Sequence, residues 1–344
     1  TAELKQVESH LERLASDRRY ASIQKTLSRV RVHPALSAFP FVHAEAGPFL
    51  VFYSARDLTV IEGEDPEEER ARVRARREVY RKLLETRAHV YRELLEDLHE
   101  LYPSAVEARP LPTGRVFIQW VFADAPTYSR YLDLIDARPI ISRPGRRGHL
   151  DPRNGWAVLY DDTGDDEGPV LETAAFLAAH PVLRAWIAKP EGGGDPLGRV
   201  EALWLLEGWP AFLAARRVPK PEVGDVVGGM FKGGARLPPV RRVVEQRSWH
   251  DVNREPATKV GDDDEVDPVH IRTATFPGLA WSLVEALHQG ANRARMTRFL
   301  LSVLGGDRGG SGRFETVFGI RGEGDWRGLD ESLVGFWGAR PRSE

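Results

Sequence analysis

The 344-residue sequence contains no cysteine. Disulfides, thiolate nucleophiles, iron–sulfur clusters and cysteine-ligated zinc are therefore excluded. An excess of charge of either sign is also missing: 48 Lys and Arg stand against 51 Asp and Glu, a net of −3. That balance gives no electrostatic reason to expect nucleic acid as a partner. No apolar run approaches the roughly 18 residues expected of a membrane-crossing helix. The opening residues do not form a signal-peptide pattern. There is no G-x-S-x-G elbow, so a serine hydrolase is not indicated, and no internal repeat. What the sequence does contain is ordinary for a globular protein: 42% hydrophobic and 29% charged residues. This suffices for a core and for one large or two modest domains.

Apolar periodicity orders the chain. Leu4, Val7, Leu11, Leu14, Ile23 and Leu27 predict a helical pair over 2–31, broken near Asp17. The connector HPALSAFP (33–40) leads to PFLVFYSA (48–55), a run of strand length and strand composition. The longest predicted helix runs from about Pro66 to Leu101, with acids in its first turn and a second face rich in Arg and Glu that reads as solvated. GRVFIQWVFA (114–123) is a second strand, DAPTYSRYLDLI (124–135) a short helix capped by Asp124, and WAVLY (156–160) a third strand after the basic loop 143–155. Two almost wholly apolar helices follow, over 170–186 and near 202–215. Beyond Arg217 the chain is Gly/Pro-rich and then acidic before helices return over 276–290 and 292–306. Helices, then strands interleaved with helices, then helices alone predict an α+β fold with a small sheet and a helical half. The expected divisions are an N-terminal helical extension (1–40), a sheet-containing part with the long helix (41–168) and a mainly helical part (169–340).

Each of the two apolar helices carries one carboxylate, Glu172 in VLETAAFLAAHPVLRAW and Glu207 in ALWLLEGWPAFLAA. A buried carboxylate is costly unless something pairs with it. The alternatives are a structural salt bridge, which is the expectation preferred here, and a pair of acids doing general acid/base work.

The order of several pieces resembles the gluzincin, or peptidase-MA-like, metallopeptidase superfamily. VFIQWVFADAPTYSRYL is similar to its strand-to-helix passage, and GHLDPRNGWAVLY to its G-x-[YFL]-D-P strand. LWLLEGWPAFLA is similar to the helix carrying the third zinc ligand, and FPGLAWSLVEAL to the helix after it. FETVFG with LVGFWG is similar to its closing segments. The resemblance covers about residues 45–340. It implies a thermolysin-like α+β architecture, with a small mixed sheet packed against helices, and it places Glu207 at the third ligand position. The HExxH slot then reads LETAA, Leu171 to Ala175. That motif works because residues i and i+4 share a helix face and both imidazoles reach one Zn²⁺, while the intervening Glu activates its water. Leu171 and Ala175 occupy the two histidine positions, and Glu172 keeps the general-base position. One carboxylate cannot hold zinc at a three-ligand site.

The resemblance thus implies an inactive scaffold: no cofactor, no catalytic metal, and a protein or peptide partner in a groove with Trp186, Trp209, Trp249 and His149 as candidates for its lining. Resembled proteins are commonly exported, so an extracytoplasmic, envelope-associated subunit is the expectation. The alternative is an active hydrolase, either with zinc at a relocated site or with Glu172 and Glu207 as metal-free acids. His149 is the nearest outside ligand candidate. His180 lies eight residues past Glu172, about 12 Å along a helix, too far to share its ion, and His250, His270 and His288 would need long-range convergence. Trp120, Trp156, Trp204 and Trp281 read as core. GGDRGGSGR (305–313) reads as an inter-helix loop rather than a phosphate cradle, and GDDDEVDP (261–268) as a solvated loop rather than a calcium site.

Overall fold

The computed structural model describes residues 20–32, 36–55, 58, 65–112, 115–135, 147–151, 156–161, 168–187, 200–218, 238–254 and 276–339. The first predicted helix (2–17), the Gly/Pro-rich stretch after Arg217, the acidic loop 261–268 and His270 lie outside the described residues. The protein is mixed α+β, with two compact units: Thr1–Leu95 with Pro112–Pro181, and Glu96–Leu111 with Val182–Glu344.

The first unit is built on one five-stranded sheet of order β1-β2-β3-β5-β4. The strands are β1 (Phe41–Ala46), β2 (Phe49–Ser54), β3 (Phe117–Phe122), β4 (Gly148–Leu150) and β5 (Ala157–Tyr160). β2, β3 and β5 run parallel, and the two edge strands are antiparallel to their neighbours. β2 and β3 are buried at every position, which is why they read as unbroken apolar runs. β1 falls between the predicted connector (33–40) and the predicted strand (48–55), in residues with no predicted element, and β4 falls in the predicted basic loop 143–155. β1 alternates exposed His43 and Glu45 with buried Val42 and Ala46, and joins β2 through a two-residue loop in which Gly47 takes φ +55°.

Alternation along the strands makes two faces. On one, Leu50, Phe52, Ile118, Trp120, Phe122 and Val158 form a single core with α1 (20–32) and α4 (Ala125–Leu134). Phe52 stacks on Trp120 with centroids 4.8 Å apart. Of the described residues before β1, Ile23, Leu27, Val30, Leu36 and Phe39 all belong to this core. Asp124 caps α4 as predicted, its carboxylate accepting from the Thr127 N–H at 2.6 Å. On the other face Val51, Val121 and Leu159 meet Leu84, Val90 and Tyr91 of α2 (Pro66–Leu101) and Val170, Leu171 and Ala174 of α5 (Gly168–Ile187) around a small apolar hollow. The limits of α2 are those the sequence predicts.

The second unit is helical: α3 (Pro103–Ala108), α6 (Leu203–Ala215), α7 (Val240–Glu245), α8 (Trp249–Arg254), α9 (Phe276–Leu287), α10 (Asn292–Leu304), α11 (Ser311–Phe318) and α12 (Glu323–Ala339). α6 and α9 are buried almost all round, as helices without a polar face must be. They touch backbone to backbone: a Cβ on Gly208 would lie 2.3 Å from the Ala280 carbonyl oxygen. The Arg109 guanidinium donates to Ile187 O at 3.2 Å and Leu304 O at 3.0 Å, closing the carbonyl ends of two helices. The Gly-rich loop after α10 is fastened to Glu201, whose N–H donates to Arg308 O at 2.6 Å and whose carboxylate accepts from the Arg308 side chain at 2.9 Å.

The unit boundaries fall inside α2 and α5 rather than at the expected 168/169. One expectation needs correcting. Val170–Ile187 is long and apolar enough, by length and composition, to cross a membrane, although it holds Glu172 and Arg184. Of that stretch, 67% is buried inside the protein, as in a core helix.

Candidate functional site

The slot 171–175 lies in the second turn of α5, within the first unit. Leu171 is half-buried and lines the apolar hollow, Ala175 is fully buried, and Glu172 is 7% exposed. Arg87 lines the same hollow and donates to Asp161 at 2.6 Å. A residue that sequence reasoning missed holds this turn in place. Gln119, in the middle of β3 and 1% exposed, donates from Nε2 to Ala174 O at 3.0 Å, while its Oε1 has no hydrogen-bond partner among the described residues. Its signal was a lone amide inside the apolar run FIQWVF.

Glu207 belongs to the second unit. It is 5% exposed on α6, and its Oε1 accepts from the Trp249 indole at 3.0 Å. The indole is a neutral donor. Trp249 is half-buried and meets Phe276 edge-on at 5.6 Å. Trp186 and Trp209 stack on each other at 6.0 Å and are 1% and 0% exposed. This corrects the expectation that they line a groove: their surface is spent inside the second unit. The Trp186 N–H donates to Arg109 O at 2.6 Å. Trp120, Trp156, Trp204 and Trp281 are core, as expected.

His149 sits on β4 in the first unit, 9% exposed. Its Nδ1 lies 2.6 Å from Tyr128 Oη, and its Nε2 is buried without a hydrogen-bond partner among the described residues. Burial lowers its pKa to about 4, against the opposing pull of Asp151, so the ring is neutral at pH 7. His180 is buried against Phe176, and His250 is exposed.

His288 heads a chain that sequence reasoning did not find. Its Nδ1–H donates to Val284 O at 2.6 Å, which leaves Nε2 as acceptor for the Tyr102 hydroxyl. Tyr102 Oη in turn accepts from the Trp209 indole at 2.8 Å. Burial lowers the His288 pKa to about 4 and outweighs the raising effect of the Val284 bond; Arg293 and Arg216 lower it further. Burial likewise pushes the Tyr102 phenol up.

Among the described residues, no group of three or more His, Asp or Glu is placed to hold a metal ion. The arrangement gives the buried carboxylates Glu172 and Glu207, in different units, and two neutral histidines, His149 and His288, each hydrogen-bonded to a tyrosine. No protein-family model matches the sequence, and no curated protein matches it.

Proposed function

We propose that this chain is a non-catalytic binding or assembly protein on a metallopeptidase-like scaffold that has lost its zinc site. Its partner is a protein or peptide, and its place is the cell envelope, outside the cytoplasm. The observation that carries the proposal is the chemistry of one helical turn. Leu171 and Ala175 occupy the positions from which the resembled enzymes present two imidazoles, and neither side chain has a donor atom for a metal. Glu172 keeps the carboxylate that would act on a metal-bound water, but no adjacent ligand pair holds such a water beside it. The binding role follows from keeping the scaffold while losing the donors.

The test is metal content after zinc loading and desalting, together with casein hydrolysis with and without chelator. Trace zinc and no cleavage are expected. Near-stoichiometric zinc with chelator-sensitive cleavage would overturn the proposal in favour of a relocated metal site. Chelator-insensitive cleavage abolished by Glu172→Gln would overturn it in favour of metal-free acid catalysis.

A further inference from the structure

Past its acidic first turn (Glu67, Glu68 and Glu69), α2 carries a positive charge that the proposed scaffold does not use. Residues 70–82 hold six arginines, one lysine and a single glutamate, a net of +6 in a chain of net −3. Arg70, Arg74, Arg77 and Arg81 are four, three and four residues apart, a repeat that sets side chains in one row along a helix. At 1.5 Å per residue the row is about 16 Å long. All four residues are exposed. Arg81 pairs with Glu78 at 2.9 Å, both ends about half exposed, which makes the pair weak. Arg70, Arg74 and Arg77 make no ion pair or side-chain hydrogen bond among the described residues. Like charges at this spacing destabilise a helix, so the row is a cost unless an anion meets it.

The cationic surface extends beyond α2. His43, on edge strand β1, rests against Phe41 and Phe52. Its pKa is lowered by burial, with Glu45 opposing and both Arg31 and Arg81 adding to the lowering. Arg31 near the end of α1, His43 on β1 and Arg81 on α2 are therefore electrostatic neighbours, all within the first unit. α1 also exposes Tyr20 (65%) and Val32 (77%).

We propose that this face docks on an anionic phospholipid surface. Guanidinium groups pair with phosphate through two parallel hydrogen bonds. A bilayer presents phosphates over an area, matching a face assembled from a strand edge and two helices. Tyr20 lies eleven residues, about three helical turns, before Arg31 and so on the same side of α1. Its exposed ring suits a headgroup region, where side chains with an apolar body settle, and this favours lipid over the phosphates of a nucleic acid.

Co-sedimentation of the full chain with phosphatidylcholine vesicles, with and without phosphatidylglycerol, tests the proposal. Binding is expected with phosphatidylglycerol only, and it should weaken as salt shortens the screening length. Arg70→Gln/Arg74→Gln/Arg77→Gln should weaken it about a hundredfold, at about fivefold per charge. Arg321→Gln/Arg327→Gln, which removes exposed charges elsewhere, should leave binding unchanged. Absence of vesicle binding, equal binding by the triple variant, or preference for a short DNA duplex over vesicles would each overturn the proposal. None of these outcomes depends on Glu172 or Glu207, so the scaffold proposal stands or falls separately.

Discussion

At the scale of single residues, His149 and His288 have the clearest consequence. Both have folded-state pKa values lowered to about 4 from the ordinary 6.5. Between those values the unfolded chain binds more protons than the folded one, so stability is highest above pH 6.5 and is lost as pH falls toward 4. Each group contributes up to about 3 kcal/mol, because every tenfold loss of proton affinity on folding corresponds to about 1.4 kcal/mol. Urea midpoints measured from pH 7 to pH 4 should fall through this window, and His288→Phe should shrink the fall; a flat profile would contradict the assignment. Neither histidine's role was legible in the sequence. Tyr128 is 21 residues from His149, and Tyr102 is 186 residues from His288. Periodicity says which side chains turn inward but not which distant hydroxyl waits there. The cap at Asp124 was legible because its partner, Thr127, lies three residues away.

At the scale of elements, legibility followed locality and length. α2 was read to its limits because its apolar repeat and acidic first turn are its own. β2, β3 and β5 announced themselves as apolar runs. β4, three residues long, and β1, with two polar residues on its exposed side, owe their conformation to a neighbouring strand, so the sequence predicts a loop at β4 and no element at β1. The α6–α9 pair gives a sharper test. Gly208→Ala would drive a Cβ into the Ala280 carbonyl, so a loss of at least about 2 kcal/mol is expected from overpacking. Gly328→Ala, on α12 with nothing within 4 Å of the added atom, should instead gain about 0.5–1 kcal/mol from helix propensity. Urea denaturation of both variants decides whether close approach, rather than loss of glycine as such, controls the effect.

At the scale of the whole molecule, both units are discontinuous in sequence, which a segment-by-segment reading does not anticipate. α5 supplies Val170, Leu171 and Ala174 to the first unit's sheet. A chain ending at residue 168, the expected boundary, should therefore leave an apolar sheet face bare and aggregate; a soluble, folded fragment on circular dichroism and size exclusion would refute this. The scaffold proposal has its own molecular test, because the resemblance specifies a geometry. Leu171→His/Ala175→His sets two imidazoles one helical turn apart on α5. Under the scaffold proposal the variant should take up zinc, read by mass spectrometry, where the unaltered chain takes up only traces. Failure of a folded double variant to bind zinc would count against the resemblance itself. Glu172 and Glu207 were legible as buried carboxylates because each is the one acid in an apolar helical run, whereas Gln119 and the Trp249 donor depend on chain brought in from elsewhere. The Gly208 contact also bears on how this sequence can change over time. Its obstacle is a peptide carbonyl, which every residue type carries, so no exchange at position 280 can make room for a larger side chain at 208. Drift can rewrite the residues around that crossing, but it has no route through which a neighbour compensates there.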